Sequence, residues 1–170
     1  MNVTAMHPEQ TGQDVNPRIP AQELKLRTIL VPIDCSACSE KALRYAVPFA
    51  RQFGASITLL YVSEAQFQAT EFAYLPIEEL GITEAARERL NSVAHRMVPA
   101  ALLGATMVRC GLACEQIDVV AREIDADLII VSTHGCTGLK HFLVGSTAER
   151  VVRHAPCPVL VVRECEHEFV

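Results

Sequence analysis

The sequence predicts an α/β domain: a doubly wound, five-stranded parallel sheet of order 3-2-1-4-5 with helices on both faces. Three observations predict it. Half of the 170 residues are apolar, which suits one sizeable core and leaves no room for a second full domain. Short apolar runs alternate with segments of helical period along most of the chain. The runs are near-continuous in Val, Ile and Leu, as in strands covered on both faces by crossover helices.

Residues 1 to about 24 hold Pro8, Gly12, Asn16, Pro17 and Pro20 among polar residues, with a period of neither 2 nor 3.6. They read as a flexible arm ahead of a domain spanning 25–165, with 166–170 as a tail. The first apolar run, Thr28 to Ile33, leads into a helical pattern carrying Leu43, Ala46, Val47, Ala50 and Phe53, and Gly54 ends it. The second run is Ile57 to Val62. The stretch from Ser63 to Leu80 has no period and reads equally as a pocket lid or a surface loop. A helix then opens at Thr83, with Ala86, Leu90, Val93 and Met97 on one face, and Pro99 closes it. Thr106 to Val108 is the third strand, before a helix carrying Ile117, Val120, Ala121 and Ile124. Leu128 to Val131, a glycine-containing loop, a helix over Thr147 to His154 and a strand over Pro158 to Val162 complete five strands and four helices.

Strict β-α alternation requires right-handed crossovers, and in the proposed order the winding reverses between strands 1 and 4. Ligands of such sheets bind at that switch. Asp34 ends strand 1 and Ser132 ends strand 4, so Asp34 and the loop from Ser132 to Gly145 are expected at the mouth of one crevice.

Composition removes several classes of function. The net charge is -5 and the 15 Lys and Arg residues are scattered, so no basic stripe exists to neutralise a run of nucleic-acid phosphates. No apolar run reaches the roughly 18 to 20 residues that span a bilayer, and the N-terminus lacks a signal core. The expectation is a cytoplasmic protein with neither a membrane nor a nucleic acid as partner. Seven cysteines at irregular spacings read as reduced thiols rather than a disulfide framework.

The loop after strand 4 runs Ser132-Thr133-His134-Gly135-Cys136-Thr137-Gly138, and Gly145-Ser146-Thr147-Ala148-Glu149 begins the next helix. Glycines let backbone N–H groups approach an anion closely, and a helix N-terminus adds about half a positive charge, so polyphosphate is a natural guest. A plainer reading has Gly135 and Gly138 making turns while Ser146 and Glu149 form a capping box. The two readings are compatible if the amides of Gly145 and Ser146 serve the anion and the side chain serves the helix.

Several segments resemble the universal stress protein family. They are Val31-Pro32-Ile33-Asp34-Cys35-Ser36, Leu59-Leu60-Tyr61-Val62, and Thr133 through Gly138 on to Gly145-Ser146-Thr147-Ala148-Glu149-Arg150-Val151 and His154-Ala155-Pro156-Cys157-Pro158-Val159-Leu160-Val161-Val162. The resemblance covers roughly residues 25 to 163 and implies an adenine nucleotide alpha hydrolase-like fold. The nucleotide-binding branch of that family has a phosphate loop of pattern G-x2-G-x9-G-[ST]. Its second and third glycines map onto Gly135 and Gly145, with Ser146 following, while Ser132 stands where the first glycine is expected. A serine keeps its amide, but its Cβ clashes if the position needs a positive φ or very close approach.

The resemblance implies ATP, with Mg²⁺, as cofactor. Pro32, Asp34 and the backbone of Val62 would hold the adenosine half, and Ser132, His134, Gly135, Gly145, Ser146 and Thr147 the phosphates. Asp34 can accept from a ribose hydroxyl and is also an ordinary turn or cap residue. A histidine such as His134 is able to titrate near neutral pH, yet no carboxylate partner accompanies it in sequence. The implied function is an ATP-binding regulatory module of the stress response. The family also contains members that bind no nucleotide and act only through protein contacts. No general base is marked and only Lys140 and His141 lie near the loop, so at most slow ATP hydrolysis is expected. Strand 5, Pro158 to Val162, would leave an apolar edge, which pairing with a second copy removes; folding of the tail Glu164 to Val170 over it is the alternative. The expected partners are thus a second copy of the chain, an adenine nucleotide and a protein target not named by sequence.

Cys35-Ser36-Ala37-Cys38 offers a rival reading. A C-x2-C pair at a strand-to-helix junction can have a thiol pKa lowered by the helix, as in dithiol oxidoreductases, although the thioredoxin order of elements is missing. Cys110 and Cys114 would join them around zinc only if strands 1 and 3 were adjacent, which the proposed order denies.

Overall fold

The computed structural model describes residues 24–64, 82–133 and 145–163. In chain order these form β1 (Thr28–Pro32), α1 (Ala37–Phe53), β2 (Ser56–Ser63), α2 (Ile82–Met97), β3 (Leu103–Cys110), α3 (Ala113–Glu123), β4 (Leu128–Ser132), α4 (Ser146–His154) and β5 (Val159–Val162). The sheet order is β3-β2-β1-β4-β5, and every pairing is parallel. Residues 1–23 of the predicted arm over 1–24, residues 65–81, the loop residues 134–144 and residues 164–170, which include the predicted tail over 166–170, lie outside the described residues.

Alternation along the strands feeds two cores. Ile29, Val31, Ile57, Leu59 and Ile130 point to the face where Leu43, Ala46 and Ala50 of α1 pack with Leu90 and Ala94 of α2. Leu30, Leu60, Ile129 and Val131 point to the other face, against Ile117, Val120 and Ala121 of α3 and Ala148 and Val151 of α4. Both sets of strand residues are buried, so the central strands carry no polar face and read as continuous apolar runs. Each fully buried Leu or Ile contributes about 1.5 to 3 kcal/mol relative to exposure, which makes this two-sided burial the main stabiliser of the sheet.

Helix α1 begins at Ser36, whose Oγ accepts from the Ser39 N–H at 3.1 Å. It ends at Gly54, which sits at φ +69° and donates its N–H to the Ala50 carbonyl. At the N-terminal rim of the sheet, Asp127 Oδ2 accepts from the N–H groups of Arg27 and Thr28 at 2.7 and 3.0 Å, while its own N–H donates to the Thr28 carbonyl at 2.9 Å. That clamp fixes β4 beside β1, the non-sequential pairing on which the order depends.

Most boundaries fall within a residue or so of the sequence expectation, and two strands show why they move. The third strand runs from Leu103 to Cys110 rather than Thr106 to Val108, because pairing with the eight-residue β2 extends it. As an edge strand it is only partly covered, so its residues need not be apolar, and the register steps from Ile57↔Leu103 to Thr58↔Ala105, leaving Gly104 unpaired as a bulge. The last strand begins at Val159, so Pro158 and Cys157 precede it; the Pro158 carbonyl still accepts from the Ile129 N–H at 3.0 Å. No helix among the described residues is long and apolar enough to cross a membrane.

Candidate functional site

After β1 the chain crosses to one face of the sheet and after β4 to the other, so the two tips part and leave a cleft at the C-terminal edge. The cleft has a volume of about 360 Å³. Of the predicted site residues, Pro32, Asp34, Val62, Ser132, Gly145, Ser146 and Thr147 all line it. His134 and Gly135 lie outside the described residues.

On the β1 side, the Ile33 N–H donates to the Leu60 carbonyl at 2.8 Å and carries the chain past the end of the strand. Asp34 Oδ1 then accepts from the Ser36 N–H at 2.9 Å, a turn that places Cys35 at φ +61° and sets Ser36 as the helix cap. The turn role foreseen for Asp34 is therefore real, the capping itself falls to Ser36, and the Asp34 carboxylate remains on the cleft wall.

On the β4 side, Ser132 closes the strand opposite Val162. Only Cys35 and Asp125 have positive φ among the described non-glycine residues, so Ser132 has the backbone of an ordinary L residue and its Cβ meets no conformational conflict. The Thr133 N–H donates to the Val162 carbonyl at 2.9 Å, and the Thr133 carbonyl accepts from the Gly145 N–H at 2.8 Å. A Cβ on Gly145 would lie 2.6 Å from that carbonyl oxygen, closer than real contacts allow, so glycine is required for the approach.

This geometry corrects two expectations. The Gly145 amide is spent on Thr133 and so is engaged within the backbone rather than free for an anion. The Ser146–Glu149 capping box does not form: Gly145 itself is the N-cap, with no side-chain cap bond, and the Glu149 carboxylate pairs with Arg153 at 2.7 Å. Ser146 sits one position inside the helix, where its hydroxyl cannot play the N-cap role. The amides of Ser146, Thr147 and Ala148 are the first-turn donors of α4, and all three residues line the cleft.

Sequence reasoning missed Glu64. It follows β2, lines the cleft, and its Oε1 accepts from the Ala113 N–H at 2.8 Å, capping α3 from another element. The N-cap position of α3 is Leu112, which has no acceptor side chain. That apolar residue at a helix start was the signal that the cap must come from elsewhere.

Cys35 follows the Asp34 turn, and Cys38 lies in the first turn of α1. Burial, then the neighbouring Asp34 carboxylate, push the Cys35 thiol above its ordinary value, with Arg89 only partly offsetting them. That direction is opposite to the lowered thiol pKa of dithiol oxidoreductases. Cys110 ends β3 and Cys114 lies in the first turn of α3, and no group of three or more His, Cys, Asp or Glu among the described residues is placed to hold a metal ion.

Comparison with known proteins follows the same outline. A model of the universal stress protein family matches residues 25–163. Universal stress protein MJ0531 of Methanocaldococcus jannaschii is 34% identical over 149 residues, covering 84% of this chain and 85% of the relative. The solved hypothetical protein MJ0577 superposes with a TM-score of 0.74 at 26% identity, covering 85% of this chain and 100% of that one. A universal stress protein in complex with cAMP superposes at 0.60 and 21% identity, over 82% of this chain and 98% of that one, a likeness of fold. The family match across nearly the whole folded region, together with a sheet order and cleft of the expected kind, places this chain in the universal stress protein family.

Proposed function

We propose that this chain is an adenine-nucleotide-binding universal stress protein that takes ATP with Mg²⁺ in the cleft between β1 and β4 and acts as a homodimeric regulatory module. The observation that carries the reading is the convergence on one cleft of Asp34, just past the end of β1, and the first turn of α4 beyond β4, whose N-cap is Gly145. A helix start with no side-chain cap offers its amides to an anion, and its dipole adds roughly half a charge. A protein of the same fold holding cAMP supports the assignment of an adenine nucleotide.

In this reading Pro32 and Val62 flank the base, the Asp34 carboxylate accepts from the ribose, and Ser132, Ser146 and Thr147 meet the phosphates, with His134 and Gly135 completing the loop. Gly145 acts through its close approach to Thr133 rather than through its amide. The described lining contains two carboxylates, Asp34 and Glu64, and no Lys, Arg or His, which suits a nucleotide arriving with a cation. The Ser146 and Thr147 hydroxyls are the neutral oxygens at the phosphate end that would join the phosphates around Mg²⁺, and the ion would supply charge neutralisation there. The homodimer forms through the β5 edge, where Val159, Leu160 and Val161 remain only partly covered.

The test is to denature the purified chain, assay the supernatant for adenine nucleotide, and titrate the nucleotide-free protein with ATP and Mg²⁺. Binding that is lost in Gly135→Val and Gly145→Val with folding retained supports the reading. No binding at millimolar ATP assigns the chain to the members that act through protein contacts alone.

A further inference from the structure

The strand given the dimer contact above is also the strand on which one wall of the cleft hangs. Ser132, which lines the cleft, is paired with Val162 at the end of β5. Just beyond, the Thr133 N–H donates to the Val162 carbonyl at 2.9 Å, and the Thr133 carbonyl accepts from the Gly145 N–H at 2.8 Å, where α4 begins. A Cβ on Gly145 would lie 2.6 Å from the Thr133 oxygen, so the start of α4 rests directly on Thr133. Side chains make a second link: Val159 and Val161 of β5 lie against the cluster that holds Ala148 and Val151 of α4.

The support itself is slight. Strand β5 has four residues, pairs only with β4 among the described strands, and leaves Val159, Leu160 and Val161 partly covered. A short edge strand held by one ladder opens locally at less cost than a central one. The carbonyls of Pro158 and Val162 accept from β4. Successive residues of a strand turn their main-chain groups to opposite neighbours, so Val159 and Val161 present theirs to the outer edge.

We propose that the β5 edge and the cleft are coupled: pairing of β5 with a second copy of the chain holds Val162, and through it Thr133 and the start of α4, in the nucleotide-binding arrangement, so dimer formation and nucleotide binding strengthen each other. The inference rests on the nucleotide and homodimer reading above and links its two halves. In a single chain, opening of β5 at Val162 releases the Thr133 amide and lets the β4 side of the cleft shift. In the pair β5 is bonded on both sides, and that opening is suppressed. A nucleotide that needs the closed arrangement shifts the same equilibrium from the cleft side. The coupling is reciprocal, so if the dimer tightens each site about fivefold, saturating ATP at both sites tightens the dimer by the square, about 25-fold.

The experiment is sedimentation velocity of the full chain with and without saturating ATP and Mg²⁺, which gives the dimer dissociation constant in each state. Equilibrium dialysis with radiolabelled ATP then measures affinity at protein concentrations below and above that constant. Val161→Pro removes an N–H from the outer edge and none from the ladder with β4, and circular dichroism checks its fold. The expected result is ATP affinity that rises about fivefold as the wild type dimerises, a dimer tightened by about the square of that factor, and a folded, monomeric Val161→Pro that binds at the weak level at every concentration. The wild-type concentration series decides the matter by itself if Val161→Pro does not fold. An ATP affinity equal within about twofold below and above the dimer constant, or a dimer constant that ATP leaves unmoved or weakens, overturns the coupling and leaves nucleotide binding and dimerisation standing. A chain that binds ATP but stays monomeric, or a dimer that takes no ATP, overturns the coupling together with that half of the reading.

Discussion

The two rims of the sheet solve the same problem in opposite ways. At the N-terminal rim, Asp127 takes up the Arg27 and Thr28 amides, and the backbone of Asp127 returns a bond to Thr28. That end is closed by the chain's own acceptors. At the C-terminal rim, β1 and β4 send their connections to opposite faces, and the first turn of α4 is left facing a cleft. If the cleft takes a nucleotide as proposed, the difference teaches that stability and ligand recognition use the same chemistry, a carboxylate or anion on backbone amides, with the rim deciding whether the acceptor is built in or brought from outside.

The comparison breaks most visibly at the closed rim. Asp127→Ala removes an acceptor from two amides, so unfolding in urea should show a loss of about 2 to 3 kcal/mol, while the nucleotide dissociation constant stays within about twofold. A large change in affinity there would mean that the rims are not independent. At the open rim, Gly145→Val forces a side chain against the Thr133 carbonyl and displaces the start of α4. Calorimetry should show ATP affinity falling at least about tenfold, about 1.4 kcal/mol; retained affinity would detach the α4 start from the ligand.

Smaller effects sharpen the same contrast. Ser36→Ala removes the cap of α1 beside the cleft but is outside its lining, so stability should drop by about 1 kcal/mol with little change in affinity. The smallest effect belongs to Asp118, whose Oδ1 is buried without a hydrogen-bond partner among the described residues. Burial raises its carboxyl above the usual value, with His154 and Arg122 partly offsetting this. A folded value above the unfolded one gives stability that is present below the unfolded value and lost as pH rises through the folded one. Asp118→Asn should therefore raise the melting temperature slightly at pH 7 and lose that advantage near pH 3; thermal scans at the two pH values measure it.

Much of this was legible in the residues. The apolar runs around Ile29, Ile57 and Ile129 marked strands buried on both faces, and their alternation with helical patterns implied the reversal of winding between β1 and β4. Topology alone predicts Asp34 and the loop from Ser132 to Gly145 across one crevice, because strand ends come together at a switch point, whereas Ser146 and Thr147 as phosphate contacts follow from the family resemblance. The edge strand β3 was underestimated, since an edge tolerates Gly104, Ala105 and Arg109 where a central strand would not.

Which amide bonds to which acceptor was decided only in three dimensions. Ser146 and Glu149 have the spacing of a capping box, yet the bond between Gly145 and Thr133 starts the helix one residue earlier and carries the serine past the cap. Glu64 and Ala113 are 49 residues apart, and no local pattern links them. Periodicity reports which face of an element is apolar, because burial acts on every residue of that face alike. A single hydrogen bond depends on angles and distances set by the packing of distant segments, so the fold could be read from the chain and the wiring of its cleft could not.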